Sequence, residues 1–192
     1  MQVDHIVNSV FDSITYIIPT GPDKNCFLID CGDVDKVTDL GWTIRGVLIT
    51  HSHFDHIYGL NKLIETFPDA IVYTNQEGKE GLVNDKWNFS RYHTEVENFI
   101  FSKIENVMVL NEGMYELDEK LKVKVHYTPG HDPSCISYVI ENNLFTGDAY
   151  IPGIEPFLKF PRSNKEQAIN SLAFLKDLER AYEYTICAGH LI

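Results

Sequence analysis

Positive charge is scarce in this sequence: 16 Lys and Arg stand against 28 Asp and Glu, a formal charge of −12 over 192 residues. So acidic a chain is poorly suited to nucleic acid or to an anionic membrane surface, both of which reward basic patches. Long apolar runs are lacking too. No stretch approaches the roughly 18 to 20 residues that cross a bilayer. The opening "MQVDHIVNSVFDSITYIIPTG" has acidic residues and no basic region ahead of its apolar part, unlike a secretory signal. These absences point to the cytoplasm. The four cysteines, Cys26, Cys31, Cys135 and Cys187, have no CxxC spacing and read as reduced thiols packed as small hydrophobes. With no low-complexity tract or linker, and 44% hydrophobic content, residues 1–192 are expected to form one domain.

What is present is a run of short β-rich segments interrupted by helices. "SITYIIP" and "CFLIDCG" flank "TGPDKN", whose Gly, Pro, Asp and Asn predict a hairpin turn. "IRGVLIT" and "AIVYTN" are further strand candidates, and between them "IYGLNKLIETF" carries apolar residues at helical spacing before Pro68. The stretch 78–101 is rich in aromatics without a clean period and reads as a helix-containing excursion. "VMVLNEG", "KLKVKVHYTPG", "CISYVIENN", "LFTGD" and "YTICA" then predict strands. "SNKEQAINSLAFLKDLERAY" predicts a helix, with Ser163 and Glu166 as a capping box and Ile169, Leu172, Ala173, Leu175 and Leu178 as its apolar stripe.

Three of the eight histidines fall within "HSHFDH", directly after an apolar run. His51 and His53 are two apart, so an extended segment sends their side chains to the same side. Asp55 and His56 follow as the chain turns into a helix and can point elsewhere. Such a loop can serve two neighbouring cations. Imidazole and carboxylate suit zinc first, with iron or manganese as alternatives. His131, Asp148 and His190 each end a strand, and a glycine directly precedes each one, letting the backbone bend and approach closely. His5, His93 and His126 are expected not to be ligands.

The order His51-x-His53-x-Asp55-His56, His131, Asp148, His190 resembles the ligand set of the metallo-β-lactamase superfamily, closest to the glyoxalase II-like hydrolases. The resemblance runs over essentially the whole chain and includes Asn25-Cys26-Phe27, Asp30 in "LIDCG" and "TPGH". It implies an α/β (α+β) fold, a four-layer αββα sandwich with the metal site along one edge. It also implies that His51, His53 and His131 hold one divalent ion and Asp55, His56 and His190 a second, with Asp148 bridging them. Asp30 matches an aspartate that supports the histidine loop from behind. The implied chemistry is hydrolysis of a small ester-like substrate (thioester, lactone or related acyl compound) by a hydroxide bridging the metals, with Asp55 orienting it. A mononuclear iron sulfur (persulfide) dioxygenase of the same fold, using His51, His131 and Asp148, is the alternative.

Glyoxalase II proper has a C-terminal helical domain that supplies much of its glutathione site, and these residues contain no counterpart. Relatives also continue past the last histidine into a helix covering a sheet face, an edge that a second subunit could cover here. "TPGHDPSCISY" places Ser134 where the family usually has glycine. No serine or cysteine nucleophile is required, so Ser134 and Cys135 read as packing residues. For substrate contacts the candidates are Tyr92 in the aromatic excursion, and Tyr150, Lys159 and Arg162 in "YIPGIEPFLKFPRS", the basic pair for gripping an anionic group.

Overall fold

The computed structural model describes residues 3–94 and 97–191. Sheet 1 has six strands in chain order, β1 (Asp4–Val7), β2 (Ile14–Pro19), β3 (Asn25–Ile29), β4 (Thr43–Leu48), β5 (Ile71–Thr74) and β6 (Val107–Val109). Sheet 2 has five, β7 (Gly113–Asp118), β8 (Leu121–Tyr127), β9 (Ile136–Ile140), β10 (Asn143–Gly147) and β11 (Thr185–Ala188), in the order β11-β10-β9-β8-β7. The first half of the chain thus builds one sheet and the second half the other.

Strand pairing follows connection length. β2 and β3 pair antiparallel across the expected hairpin, with Thr20 N donating to Asn25 O at 2.9 Å. β3 to β6 are mutually parallel, because each link is long enough to cross over with a helix. α1 (Val34–Asp39), α2 (Leu60–Thr66) and α3 (Gln76–Leu82) are these crossovers, and they bury Val37, Leu60, Leu63 and Leu82 against the outer face of sheet 1. Between the sheets lie Ile18, Phe27, Leu48 and Tyr73 from one side and Val123, Val125, Tyr138 and Phe145 from the other. α4 (Lys165–Tyr182) covers the outer face of sheet 2 through Leu175, with Leu172 and Leu178 partly buried beside Val139 and Leu144. The result is a four-layer αββα sandwich.

Two details of α4 differ from the sequence expectation. Its N-cap is Asn164, whose side chain accepts from Gln167 N at 3.1 Å. Ser163 is diverted instead, its hydroxyl donating to the carbonyl of His131 at 2.7 Å. Ile169, expected in the apolar stripe, is 56% exposed, and the buried line runs through Ala168, Ser171 and Leu175. Four elements had no sequence assignment of their own: the edge strands β1 and β7, and the short helices α1 and α3. No described helix is long and apolar enough to cross a membrane.

Candidate metal centre

All the candidate donors leave from one edge of the sandwich, just beyond the ends of β4, β8, β10 and β11. After β4 the chain runs extended through His51 and His53, then closes a single 3-10 turn over Phe54–His56. The His51 and His53 rings lie 4.6 Å apart between centroids, as expected for residues sharing a side. The turn swings Asp55 and His56 away from them. The edge is stitched across the sheets: Tyr138 in β9 donates its buried hydroxyl to Ile49 O at 2.7 Å, and Ile136 N bonds Thr50 O. The other end of the chain is held by Ile14 N on Gly189 O at 2.8 Å and by Tyr16 OH on Ala188 O at 2.7 Å.

Asp30 orients two of the imidazoles. It sits at φ +59° just past β3, a conformation that costs a non-glycine residue about 1 kcal/mol or more. There its buried carboxylate accepts from Thr50 N and Thr50 Oγ1, both at 2.7 Å, and from His56 Nδ1 at 2.8 Å. Because the Thr50 hydroxyl proton is committed to Asp30, its oxygen accepts from His51 Nδ1 at 3.1 Å. One carboxylate therefore places the Nε2 lone pairs of both His51 and His56 inward. His131 donates Nδ1–H to Phe157 O at 2.9 Å, and His190 donates Nδ1–H to Phe11 O at 3.0 Å. Their Nε2 atoms also face the cluster.

His53 is oriented by a residue that the sequence reading passed over. Asp132 is fully buried, accepts from Ser134 N (2.9 Å) and Ser134 Oγ (2.6 Å), and places Oδ2 3.6 Å from His53 Nε2. With the His53 proton on that side, its Nδ1 lone pair meets the Nε2 lone pair of His131 at 3.0 Å. Two lone pairs at that separation repel unless positive charge lies between them. An acid immediately after Gly130-His131, in an otherwise uncharged stretch, was the available signal.

The donors fall into three overlapping groups: His51, His53 and His131; His51, His56 and Asp148; and Asp55, His56 and His190. Within each, the donor atoms lie within 4.8 Å of one another, the spacing of a group that could hold a metal ion once its side chains draw in by less than about 1 Å. Asp148 reaches both ends, with Oδ2 3.6 Å from His131 Nε2 and 3.4 Å from His190 Nε2, and Oδ1 3.6 Å from His56 Nε2. His51 Nε2, His56 Nε2 and Asp148 Oδ1 are buried without a hydrogen-bond partner. Native interiors leave few such atoms, each costing about 1–3 kcal/mol when unsatisfied. Imidazole and carboxylate donors arranged in this way fit divalent metal ions.

The electrostatics are divided along the cluster. Burial, then the imidazoles of His56, His53, His131 and His190, hold His51 far below the ordinary imidazole range. Burial and His53 bring His131 down to about 4. Both are neutral donors. Burial opposes charge on Asp148 and Asp55, yet His56 and His190 hold Asp148 at about 2 and Asp55 well below the carboxylate range. Partial burial opposes charge on His190, yet Asp148 and Asp55 raise it to about 9. The anionic end thus calls for positive charge, and a metal bound there releases protons.

Over the cluster lies a cavity of about 330 Å³, lined by Phe11, Phe54, Phe89, Phe157 and Phe160 together with His53, Asp55, His93, His131, Asp148 and His190. His93, set aside in the sequence as a non-ligand, lies in this wall. His5 and His126 do not; His126 is within β8 with its ring 5.1 Å from Phe174. The suggested substrate contacts are not in the wall either. Tyr92 is 62% exposed, and Lys159 is exposed. Tyr150 turns its hydroxyl to Glu179 on α4 at 2.9 Å. Arg162 is tied to Glu77 at 2.8 Å and stacks over Trp87 at 4.4 Å. Their segments do reach the cavity, but through Phe89, Phe157 and Phe160.

The family model described as the metallo-beta-lactamase superfamily matches residues 11–190. The chain belongs to that superfamily. It is 26% identical over 170 residues to a hydroxyacylglutathione hydrolase of Buchnera aphidicola subsp. Acyrthosiphon pisum, an alignment covering 84% of this chain and 59% of the relative. Three such hydrolases are matched over only 42–59% of their own lengths. Among solved structures it superposes on the BLEG-1 B3 metallo-beta-lactamase with a TM-score of 0.86 at 22% identity, covering 100% of this chain and 92% of that one. It superposes on TTHA1623 in a di-iron-bound form with a TM-score of 0.80 at 23% identity, covering 98% and 92%. At these identities the superfamily's fold is shared. The donor cluster within it is compatible with a dinuclear metal site.

Proposed function

We propose that this protein is a dinuclear metal-dependent hydrolase of a small ester-like substrate, a thioester, lactone or related acyl compound. The observation that carries this reading is Asp148, whose carboxylate lies within 3.6 Å of His131 in one donor group and of His56 and His190 in the other. His51, His53 and His131 would hold the first ion, Asp55, His56 and His190 the second, and Asp148 would bridge. Bound there, the ions would supply Lewis acidity that lowers the pKa of water and polarises an acyl oxygen.

The chain's own residues do the positioning. Asp30, Phe157 O and Phe11 O fix tautomers by hydrogen bonds, and the buried Asp132 carboxylate 3.6 Å from His53 Nε2 favours a proton on that nitrogen, so one lone pair of each imidazole faces inward without reorganisation during the reaction. Asp55 orients the attacking water from the cavity floor, where its Oδ2 is 3.3 Å from both His56 Nε2 and His190 Nε2. The phenylalanines exclude bulk water from the acyl group. Both sheets contribute donors, which supports reading residues 1–192 as one domain. Four free, buried cysteines are consistent with a cytoplasmic enzyme.

Zinc is the first metal to test, with iron and manganese next. Metal analysis of protein purified without chelator should find two ions per chain, and Asp148→Ala should lower this toward one. A screen of thioesters, lactones, β-lactams and phosphodiesters should find activity in the acyl group. A single iron, with oxygen consumed on a persulfide, would replace this reading by the dioxygenase one. The third donor group, unused by a mononuclear enzyme, favours two metals.

A further inference from the structure

The cavity wall combines many rings with no Lys or Arg among the described residues. Its five phenylalanines come from four separate segments: Phe11 after β1, Phe54 in the histidine loop, Phe89 in the excursion, and Phe157 and Phe160 after β10. Three of these rings, Phe89, Phe157 and Phe160, form one surface that ends on the donors. Phe160 lies 4.5 Å from Phe89, 4.9 Å from Phe157 and 4.7 Å from the His53 ring, and Phe89 lies 4.8 Å from His53. Phe89 holds φ +65°, a conformation that bulky residues rarely adopt. Phe11 and Phe157 are 48% and 51% exposed at the mouth, where apolar exposure needs a reason.

No Lys or Arg lines this cavity among the described residues. Arg162 is held by Glu77 and Trp87. The net charge of −12 adds a field unfavourable to anions. We infer that the site selects uncharged substrates whose acyl group is apolar, and disfavours substrates whose acyl chain carries an anionic end. This deepens the hydrolase reading and rests on it. At about 330 Å³ the cavity admits about ten water-sized atoms at ~30 Å³ each, enough for a short acyl chain or one ring.

The test uses three thioesters of 2-mercaptoethanol with the full, metal-loaded chain, reading thiol release: acetyl, hexanoyl and 5-carboxypentanoyl. Each buried methylene is worth about fourfold. With half of the added chain buried, kcat/KM should be at least tenfold higher for hexanoyl than for acetyl. The carboxylate-ended substrate should be no better than acetyl. Phe160→Ala should shrink the hexanoyl-to-acetyl ratio about threefold or more, a ratio that cancels any general loss at the metals. Acetyl and hexanoyl within twofold of each other, or a carboxylate-ended substrate matching hexanoyl, would overturn the inference while leaving the hydrolase reading intact. Should protein holding two metals cleave none of the three, thioester hydrolysis itself fails. The cavity is then judged by saturation-transfer NMR with hexanamide and its sulfonate-ended analogue. Preferential binding of the uncharged amide upholds the inference; equal or reversed binding overturns it.

Discussion

Replacing Gly189 by alanine would disturb the proposed bridging carboxylate without touching any donor. A Cβ at Gly189 would lie 2.3 Å from Asp148 Oδ1 and 2.9 Å from His56 Cε1. The backbone cannot retreat, because Gly189 N bonds Gly147 O at 3.0 Å and its carbonyl accepts from Ile14 N at 2.8 Å. Its φ is not in the left-handed region, so alanine adds no backbone strain and the effect is steric. Asp148 must move by about 1 Å to restore ordinary contact. Overpacking of this kind costs about 1–3 kcal/mol. In a chain of this size that lowers Tm by roughly 2–12 °C. A displacement of that length at a reacting centre costs about 100-fold in rate. We expect Gly189→Ala to fold, to lose most of its second equivalent of zinc on dialysis against buffered low free zinc, and to drop kcat/KM by 10- to 100-fold. Zinc content by mass spectrometry, thermal unfolding of the metal-free protein and kcat/KM would be measured together. Two tightly held ions with wild-type kinetics would refute the use of Asp148 Oδ1 as a ligand.

Asp132→Asn should keep the bonds to Ser134 but turn an amide toward His53 Nε2, weakening zinc binding by about 10-fold or more in a competitive chelator titration; unchanged affinity would remove Asp132 from the orienting set. Tyr138→Phe should lower stability by about 1–3 kcal/mol in urea unfolding, since it leaves the buried carbonyl of Ile49 without its donor; a loss below ~0.5 kcal/mol would argue against that tie. Asp33 offers a pH prediction away from the metals. Partial burial opposes its charge, but Lys36, Tyr58 and Ser9 hold its pKa at about 2 against an ordinary 3.8. A depressed acid stabilises the fold above its unfolded pKa and loses that contribution as pH falls through the folded one. Asp33→Asn should therefore be less stable at pH 7, by about 1 kcal/mol once solvent screening is allowed for. The gap should close between pH 4 and pH 2, and one that persists at pH 2 would contradict the assignment.

The ligand candidates were legible because their chemistry is local: four sit in six residues, and the others each follow a glycine at a strand end. Of what supports them only Asp30 was legible, through the resemblance; the rest depends on contacts remote in sequence. α3 is the clearest case. "QEGKEGL" carries two glycines, a poor helix by propensity. A Cβ on Gly78 would lie 2.0 Å from Thr74 Oγ1, and one on Gly81 2.2 Å from Ser52 Oγ, inside the histidine loop. Helix propensity is sacrificed there so that α3 can press on the loop. Ser163 misled for a similar reason. It has a good capping side chain, but His131 O recruits it and Asn164 takes the cap. The substrate candidates lie outside the cavity lining because polarity was sought where the fold supplies rings. Tyr150 and Arg162 satisfy their polar groups on Glu179 and Glu77, and Phe157 and Phe160 turn inward instead. β1 and β7 were missed as edge strands, whose half-exposed patterns carry little periodicity.

These remote supports couple metal binding to folding. The contacts that set the five imidazoles are hydrogen bonds to Asp30 past β3, Phe11 past β1 and Phe157 past β10, and a 3.6 Å ion-pair contact to Asp132 past β8. An unfolded chain offers the same histidines with no fixed tautomer and no convergence, so it binds metal weakly. Binding free energy is then largely folding free energy. Free metal at 100 times its Kd adds about 2.7 kcal/mol of stability per independent site. It follows that a lesion far from the donors but on a supporting tie, such as Tyr138→Phe, should weaken the metal-free and the metal-loaded protein by similar amounts wherever it leaves metal affinity unchanged. A lesion on a donor should instead cut the stabilisation that metal adds. Asp148→Ala removes a carboxylate that His56 and His190 hold charged, so its metal-free Tm should fall, and the rise in Tm on adding zinc should shrink.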